Sequence, residues 1–354
     1  MQTVQRHGAD KHDPQALPVM ALAHNEANIL PEFLRHYRAM GPVSFLIVDD
    51  GSTDATPDLL AAQPDVTVFR PVAGSSYARD KVQWRSDILD AHCAGRWCLV
   101  PDLDEHFVFA GQPGQTVAEY IAALEREGAQ AVVTLMIDMY DDRPLADHVY
   151  PADAAQTLEQ AFPFFDGPSA FPDGYTMRPI TRARAEKFPC PPIQFAGGAR
   201  DRLFYPRLDR LGSVGRRAVR KWMGMDRPIN ARLAPWERAI MTQVSRRYFA
   251  GRLNCTKLGL LKWQAGMRFS GGPHNVDRPL PVSESIAAFL HFTFTRGRAG
   301  IVYIAERGQH ASGGAYYKRL LEGDTLDRSP VFDGTRRYDG PADLAGLIRP
   351  IPGY

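Results

Sequence analysis

Over roughly the first 140 residues, short apolar runs alternate with stretches whose apolar positions recur at helical spacing. Pro18-Val19-Met20-Ala21-Leu22-Ala23 is apolar throughout, the pattern of a strand buried on both faces. After His24-Asn25-Glu26-Ala27-Asn28 come Ile29, Leu30, Phe33, Leu34 and Tyr37 on one helical face, and Gly41-Pro42 stops that helix. Val43–Val48 predicts a second strand running into Asp49-Asp50-Gly51. Thr56-Pro57-Asp58 predicts a helix start, with Thr56 as N-cap and Pro57 in the first position, and Leu59 to Ala62 continue it. Val66–Phe69 reads as strand, Tyr77 to about Ala91 as helix, and Trp97–Val100 as strand into Asp102-Leu103-Asp104-Glu105. Thr116–Glu127 is again helical and Ala131–Ile137 a strand.

Strands alternating with helices predict an α/β fold with a mostly parallel sheet and right-handed crossovers. Ligands of such sheets bind at the carboxyl ends of the strands. His24-Asn25-Glu26, Asp49-Asp50 and Asp102-Leu103-Asp104 all fall at predicted strand ends. Beyond Tyr140 the alternation fades, and Pro and Gly become frequent from Pro163 to Gly198. The organisation expected is a polar tail over 1–15, a main domain over 16–300, and a C-terminal helix (Gly314–Glu322) and tail over 301–354. Within the main domain, the expected division is a ligand-binding half over 16–140 and a less regular half over 141–300.

Composition is that of an ordinary globular protein, and 354 residues suffice for a sizeable core. A net charge of +2 excludes a general nucleic-acid-binding role. Basic residues do cluster between Arg200 and Lys221, including Arg202, Arg207, Arg210, Arg216, Arg217 and Arg220. That cluster reads either as a solvated face or as a patch for an anionic substrate or membrane surface. Cys93, Cys98, Cys190 and Cys255 show no metal spacing and read as reduced thiols. Met1–Gln15 lacks the apolar core of a signal peptide, and no apolar stretch is long enough to span a membrane. The expectation is a cytoplasmic protein, at most peripheral to the inner membrane face.

Asp102 and Asp104, one residue apart where a buried strand opens into a loop, form a hard oxygen site for a divalent cation that could hold a diphosphate. An Asp-x-Asp alone is expected about once by chance in a chain this long. Asp49 and Asp50 can accept from a ring N–H and a ribose hydroxyl, with Gly51 letting the backbone turn close to a ligand. Asn25 and Glu26 follow the same logic, although an Asn near a helix start is often only a cap.

These words resemble family-2 glycosyltransferases of the GT-A fold: His24-Asn25-Glu26, Val48-Asp49-Asp50-Gly51-Ser52-Thr53-Asp54 and Asp102-Leu103-Asp104-Glu105. The likeness is closer to a bacterial branch with a DxDE motif, whose later signatures resemble Asp138-Met139-Tyr140, Gly197-Gly198, Arg202-Leu203-Phe204, Lys257-Leu258 and Leu290-His291-Phe292. It extends from about Val19 to Leu320. The resemblance implies a nucleotide-diphosphate-sugar donor, UDP-sugar first among them, and transfer to a hydroxyl acceptor such as a glycan or lipid-linked glycan in bacterial surface polysaccharide assembly. It implies Mn²⁺ or Mg²⁺ as cofactor, with Asp104 as direct ligand and Asp102 at the ribose or a metal-bound water. A late histidine often joins that metal, and His274, on the Gly/Pro loop Ser270–His274, is the first candidate, reading equally as a lone surface histidine. His291, between Leu290 and Phe292 on a predicted strand, is the second and reads also as a core histidine. Ala23, Asn25, Glu26, Asp49, Asp50, Arg79, Asp102 and Leu103 make up the implied nucleotide-sugar site; Arg79, with Lys81, could neutralise phosphate charge, and both read equally as helix-surface cations.

An inverting transfer needs a carboxylate to take the acceptor proton. Asp138, after the strand Ala131–Ile137, is the first candidate, and Asp166, Asp201 and Glu306 are its rivals. The Glu-Asp pair of better-known relatives has no counterpart here. Two other readings compete: an inactive nucleotide- or glycan-binding scaffold of the same fold, and a nucleotidyltransferase. The latter carries a Gly-rich, Arg-containing loop after its first strand, where this chain has His24-Asn25-Glu26-Ala27.

Overall fold

The computed structural model describes residues 3–168, 174–204, 213–248, 252–309 and 314–353. Its strands are β1 (Val4–His7), β2 (Leu17–Ala23), β3 (Val43–Asp49), β4 (Val66–Pro71), β5 (Trp97–Leu99), β6 (Glu105–Val108) and β7 (Ala131–Tyr140). The second half adds β8 (Phe164–Asp166), β9 (Thr176–Pro179), β10 (Ile193–Ala196), β11 (Thr256–Lys262), β12 (Val282–His291) and β13 (Thr335–Arg337). The helices of the first half are α1 (Leu30–Arg38), α2 (Thr56–Ala61), α3 (Tyr77–His92) and α4 (Val117–Glu127). They are followed by α5 (Leu158–Ala161), α6 (Arg182–Lys187), α7 (Ala199–Phe204), α8 (Ser213–Met223), α9 (Pro235–Tyr248), α10 (Gly297–Arg307) and α11 (Ala315–Leu321).

The fold is α/β, with a large mixed sheet flanked by helices. Its order is β1-β4-β3-β2-β5-β11-β7-β12-β6, with β8 on β7 and β13 on β8. The block β4-β3-β2-β5 is parallel, as the apolar runs predict, and β7 runs parallel to β12. β11 inserts antiparallel between β5 and β7, and β6 is antiparallel to β12. The less regular half thus contributes two central strands, because β11 and β12 are buried along nearly their whole length.

Local chemistry explains most boundaries. α4 begins in a capping box between Thr116 and Glu119 and ends at Gly128 in the left-handed region (φ 77). α2 begins one residue earlier than expected: Thr56 is already helical and Ala55 holds the cap position. The Thr56 hydroxyl instead accepts from the Glu26 N–H at 2.8 Å, joining the loops after β2 and β3. Residues Val4–His7 of the expected tail form an edge strand antiparallel to β4. The expected boundary at residue 300 falls inside α10.

Among the basic residues read from sequence, Arg207 and Arg210 lie outside the described residues, as does the Arg216 side chain. Arg202 is committed to the buried Asp166. Arg217, Arg220 and Lys221 are exposed on α8. Among the described residues no helix is long and apolar enough to cross a membrane.

Candidate active site

Strand register builds the centre of the site. On β12, His291 pairs with Asp138 of β7 on one side and with Glu105 of β6 on the other. The Phe292 N–H donates to the Asp104 carbonyl at 2.8 Å, which fixes the Asp104 loop against the end of β12. His291 Nε2 consequently faces Asp104 Oδ2 at 3.2 Å, while Nδ1 meets Asp138 Oδ1 at 2.8 Å. Asp104, Glu105 and His291 bring their ligand atoms within 4.8 Å of one another. Burial and Arg200 push the His291 pKa down, but the charges and hydrogen bonds of Asp104 and Asp138 outweigh them and raise it to about 9.

Asp102 faces a different set of partners. Its Oδ1 accepts from Arg85 at 2.7 Å and its Oδ2 from Lys257 Nζ at 2.5 Å. The same ammonium lies 2.6 Å from Glu105 Oε1, and Glu105 Oε2 accepts from the Asp102 N–H at 2.8 Å. Lys257, Arg85 and Glu105 are buried, whereas the Asp102 side chain is 38% exposed. Burial favours the neutral acid at both carboxylates; at Asp102 Lys257 and Arg85 overcome it, and at Glu105 burial prevails and the pKa rises. The tetrad is therefore divided. Asp104 turns to His291, and Asp102 and Glu105 share a buried lysine.

The two candidate histidines stand apart. His274 Nδ1–H donates to the Thr256 carbonyl at 2.7 Å, and the ring stands outside the Asp104–Glu105–His291 cluster. Burial and neighbouring Lys257 hold it neutral, with its pKa down to about 4. It lies on the Asp102 side of the site, where His291 lies on the Asp104 side.

The ends of β2 and β3 meet, with Ala23 opposite Asp49 and the Asp50 N–H donating to the Ala23 carbonyl at 2.9 Å. Asn25, in the left-handed region at φ 55, accepts through Oδ1 from the Thr53 N–H at 2.7 Å. Its side chain thus clasps the two loops, which is more than a helix cap. Asp49 is buried, with Oδ1 accepting from the Ser52 N–H at 2.9 Å, and organises the turn. Asp50 is half-buried and pairs with Arg307 of α10 at 2.7 Å. Tyr303 of the same helix bonds His24 at 2.7 Å and Asn25 at 3.2 Å through its hydroxyl. Glu26 pairs with Arg296, yet burial, which outweighs that pairing, and nearby Asp104 push its pKa up to about 7. Leu103 is buried. Arg79 points away from this group: it is two-thirds exposed and bonds Asp80 (2.7 Å) and the Gly74 carbonyl. Lys81 lies over the Tyr77 ring at 4.5 Å, within the field of Arg85 and Asp102.

The candidate bases are mostly spoken for. Asp138 is buried between His291 and Arg200, whose Nε lies at 2.6 Å, and these cations overcome burial to hold its pKa down to about 2. Such a carboxylate is a weak proton acceptor and a good orienter of an imidazole. Asp166 is fully buried against Arg202 and the Tyr140 hydroxyl, both at 2.8 Å. Asp201 is held by Arg252 at 2.7 Å. Glu306 lies exposed on α10.

Several residues of the site went unassigned in the sequence: Arg85, Arg200, Arg296, Tyr303 and Arg307. Lys257 carried a signal, as a single charge inside the apolar run Thr256–Leu261. Arg85, Arg200, Tyr303 and Arg307 sit on helices and Arg296 immediately before one, where a surface role is the ordinary reading, and only their distant partners reveal them.

No protein-family model matches the chain. No curated protein matches it either. Among solved structures, the chain is similar to a protein from Bacillus anthracis described as a glucose-1-phosphate thymidylyltransferase in complex with sucrose, at 12% identity and a TM-score of 0.24. The likeness covers 38% of this chain and 58% of that one, and it is too slight to carry an argument about fold or function.

Proposed function

We propose that this chain is a metal-dependent glycosyltransferase of the GT-A type. It moves a sugar from a nucleotide-diphosphate donor, UDP-sugar first, to a hydroxyl acceptor with inversion, in bacterial surface-glycan assembly. The observation that supports this reading best is the facing of Asp104 and His291 at 3.2 Å, beside the polar ends of β2 and β3. A carboxylate oxygen and an imidazole nitrogen suit Mn²⁺, and the second ring nitrogen is already held by a carboxylate, Asp138, as metal-bound imidazoles usually are. The donor set therefore fits, with Asp104 and His291 as the holding residues and Glu105 within reach. When bound, the ion would neutralise the departing diphosphate. Lys257 and Arg85 keep Asp102 ionised and in place, and Asp138 orients His291 as a positioning residue.

The exposed face of α8 and α9 supports peripheral contact with an anionic membrane. Arg217, Arg220 and Lys221 lie near Trp222, which packs edge-on to Trp236, and Trp236 and Ile240 are 59% and 42% exposed one turn apart.

The test is a thermal-shift screen of nucleotide sugars with Mn²⁺, followed by a transfer assay with the stabilising donor. Asp104→Ala should abolish transfer while the chain stays folded. Undiminished turnover in that variant, with metal and donor saturating, refutes the reading. Donor binding without hydrolysis or transfer to any acceptor would make the chain a scaffold instead.

A further inference from the structure

On the opposite face of β6 from Glu105, two imidazoles converge on one carboxylate. Successive strand residues point to opposite faces, so His106 turns away from Asp104 and Lys257 towards α1 and α5. The rings of His36 and His106 stack with centroids 4.2 Å apart at 14°. His106 Nδ1 lies 2.6 Å from Glu159 Oε1, and His36 Nδ1 lies 3.7 Å from the same oxygen. We infer that His36, His106 and Glu159 form a second metal site, for Zn²⁺ or a similar late transition ion, that clamps α5 onto α1 and β6.

The tautomers favour a cation there. His36 Nε2 donates to the Phe107 carbonyl at 3.0 Å, which leaves the Nδ1 lone pair aimed at a carboxylate oxygen. A backbone carbonyl holding the far nitrogen is also the usual support of a metal-bound imidazole. A cation at His106 Nδ1 would displace the proton now shared with Glu159 and leave the ring N–H on Nε2, which is buried with no hydrogen-bond partner among the described residues. Ligand bonds of about 2.0–2.2 Å set donors roughly 3.3 Å apart in a tetrahedral site. Glu159 Oε1 would retreat from His106 by under about 1 Å and approach His36 by about half of that. Two nitrogens and one oxygen prefer Zn²⁺, Co²⁺ or Ni²⁺ to Mg²⁺ or Ca²⁺. Glu159 is 20% exposed, which leaves the ion a way in.

The experiment uses the full chain carrying Asp104→Ala and His291→Ala, so that the other candidate cluster cannot bind. After chelator treatment, Zn²⁺ and Co²⁺ are titrated and followed by bound-metal analysis, visible Co²⁺ absorption and melting temperature. One equivalent should bind, give the intense absorption of a tetrahedral site and raise the melting temperature. Glu159→Gln and His36→Gln should each weaken binding by at least about tenfold and abolish the thermal shift, while melting like the parent without metal. Glu159 lies partly exposed on a short helix, so its variant keeps the test readable if His36→Gln unfolds. No uptake in the parent, or equal uptake in the Glu159→Gln chain, overturns the assignment.

Discussion

Removing the Lys257 ammonium is the sharpest physical test of this site. Its Nζ lies 2.5 Å from Asp102 and 2.6 Å from Glu105, and both it and Glu105 are fully buried. Lys257→Met retains much of the apolar stem but strands Glu105, whose carboxylate has no other cation within ion-pairing distance among the described residues. Asp102 is better placed, since it is 38% exposed and keeps Arg85. Breaking one side of a buried pair typically costs about 3–5 kcal/mol. Unfolding entropy of about 2.1 cal/mol/K per residue gives about 0.7 kcal/mol/K for 354 residues, so the melting temperature should fall by about 4–7 °C. The loss should shrink on acidification. Glu105 has its pKa raised, so its folded-state advantage belongs to the protonated form and disappears as pH rises through the folded pKa. Lys257→Met/Glu105→Gln removes both charges and leaves Gln to accept from the Asp102 N–H. It should recover at least about half of the loss, which sets the coupling at about 1.5 kcal/mol or more. Circular-dichroism melts of wild type, both single variants and the double variant, in chelator at pH 5 and 8, measure the cycle. A Lys257→Met chain melting within about 1 °C of wild type, or a double variant no better than the single, would refute the neutralising role.

Asp138→Asn should lower Mn²⁺ affinity about 10–100-fold, because the second nitrogen of His291 loses its charged partner; isothermal calorimetry would show it, and unchanged affinity would remove Asp138 from the support of that imidazole. Replacing Arg217, Arg220 and Lys221 together by Gln should reduce sedimentation with phosphatidylserine vesicles, at about 1 kcal/mol per charge near the surface, and leave neutral vesicles unaffected. Equal sedimentation would assign these residues to a solvated face.

How far the sequence could be read depends on the range of the interactions involved. Buried parallel strands announce themselves as apolar runs, and helices by one-sided periodicity, because burial acts residue by residue along the chain. β2, β3, β4, α1, α3, α4 and β7 were legible for that reason, and Asp49, Asp50, Asp102 and Asp104 could be placed at strand ends. Thr56 was misread by one position because its hydroxyl serves the Glu26 N–H in another loop, a partner that local spacing does not reveal. β11 and β12 looked irregular in their surroundings, and nothing local says that β11 inserts between β5 and β7.

That insertion delivers Lys257 to Asp102 and Glu105, across 155 and 152 residues of chain. The register of β12 sets His291 between Asp138 and Glu105. A one-residue slip would turn His291 to the opposite face of the sheet. α10 likewise folds back to bring Tyr303 and Arg307 onto loops more than 250 positions earlier. By itself, then, the sequence determined the α/β alternation and the carboxylates at its strand ends. Which cations, histidines and hydroxyls those carboxylates meet was decided only by tertiary structure, because a buried charge takes its partner from whatever strand register and helix packing bring within about 3 Å of it.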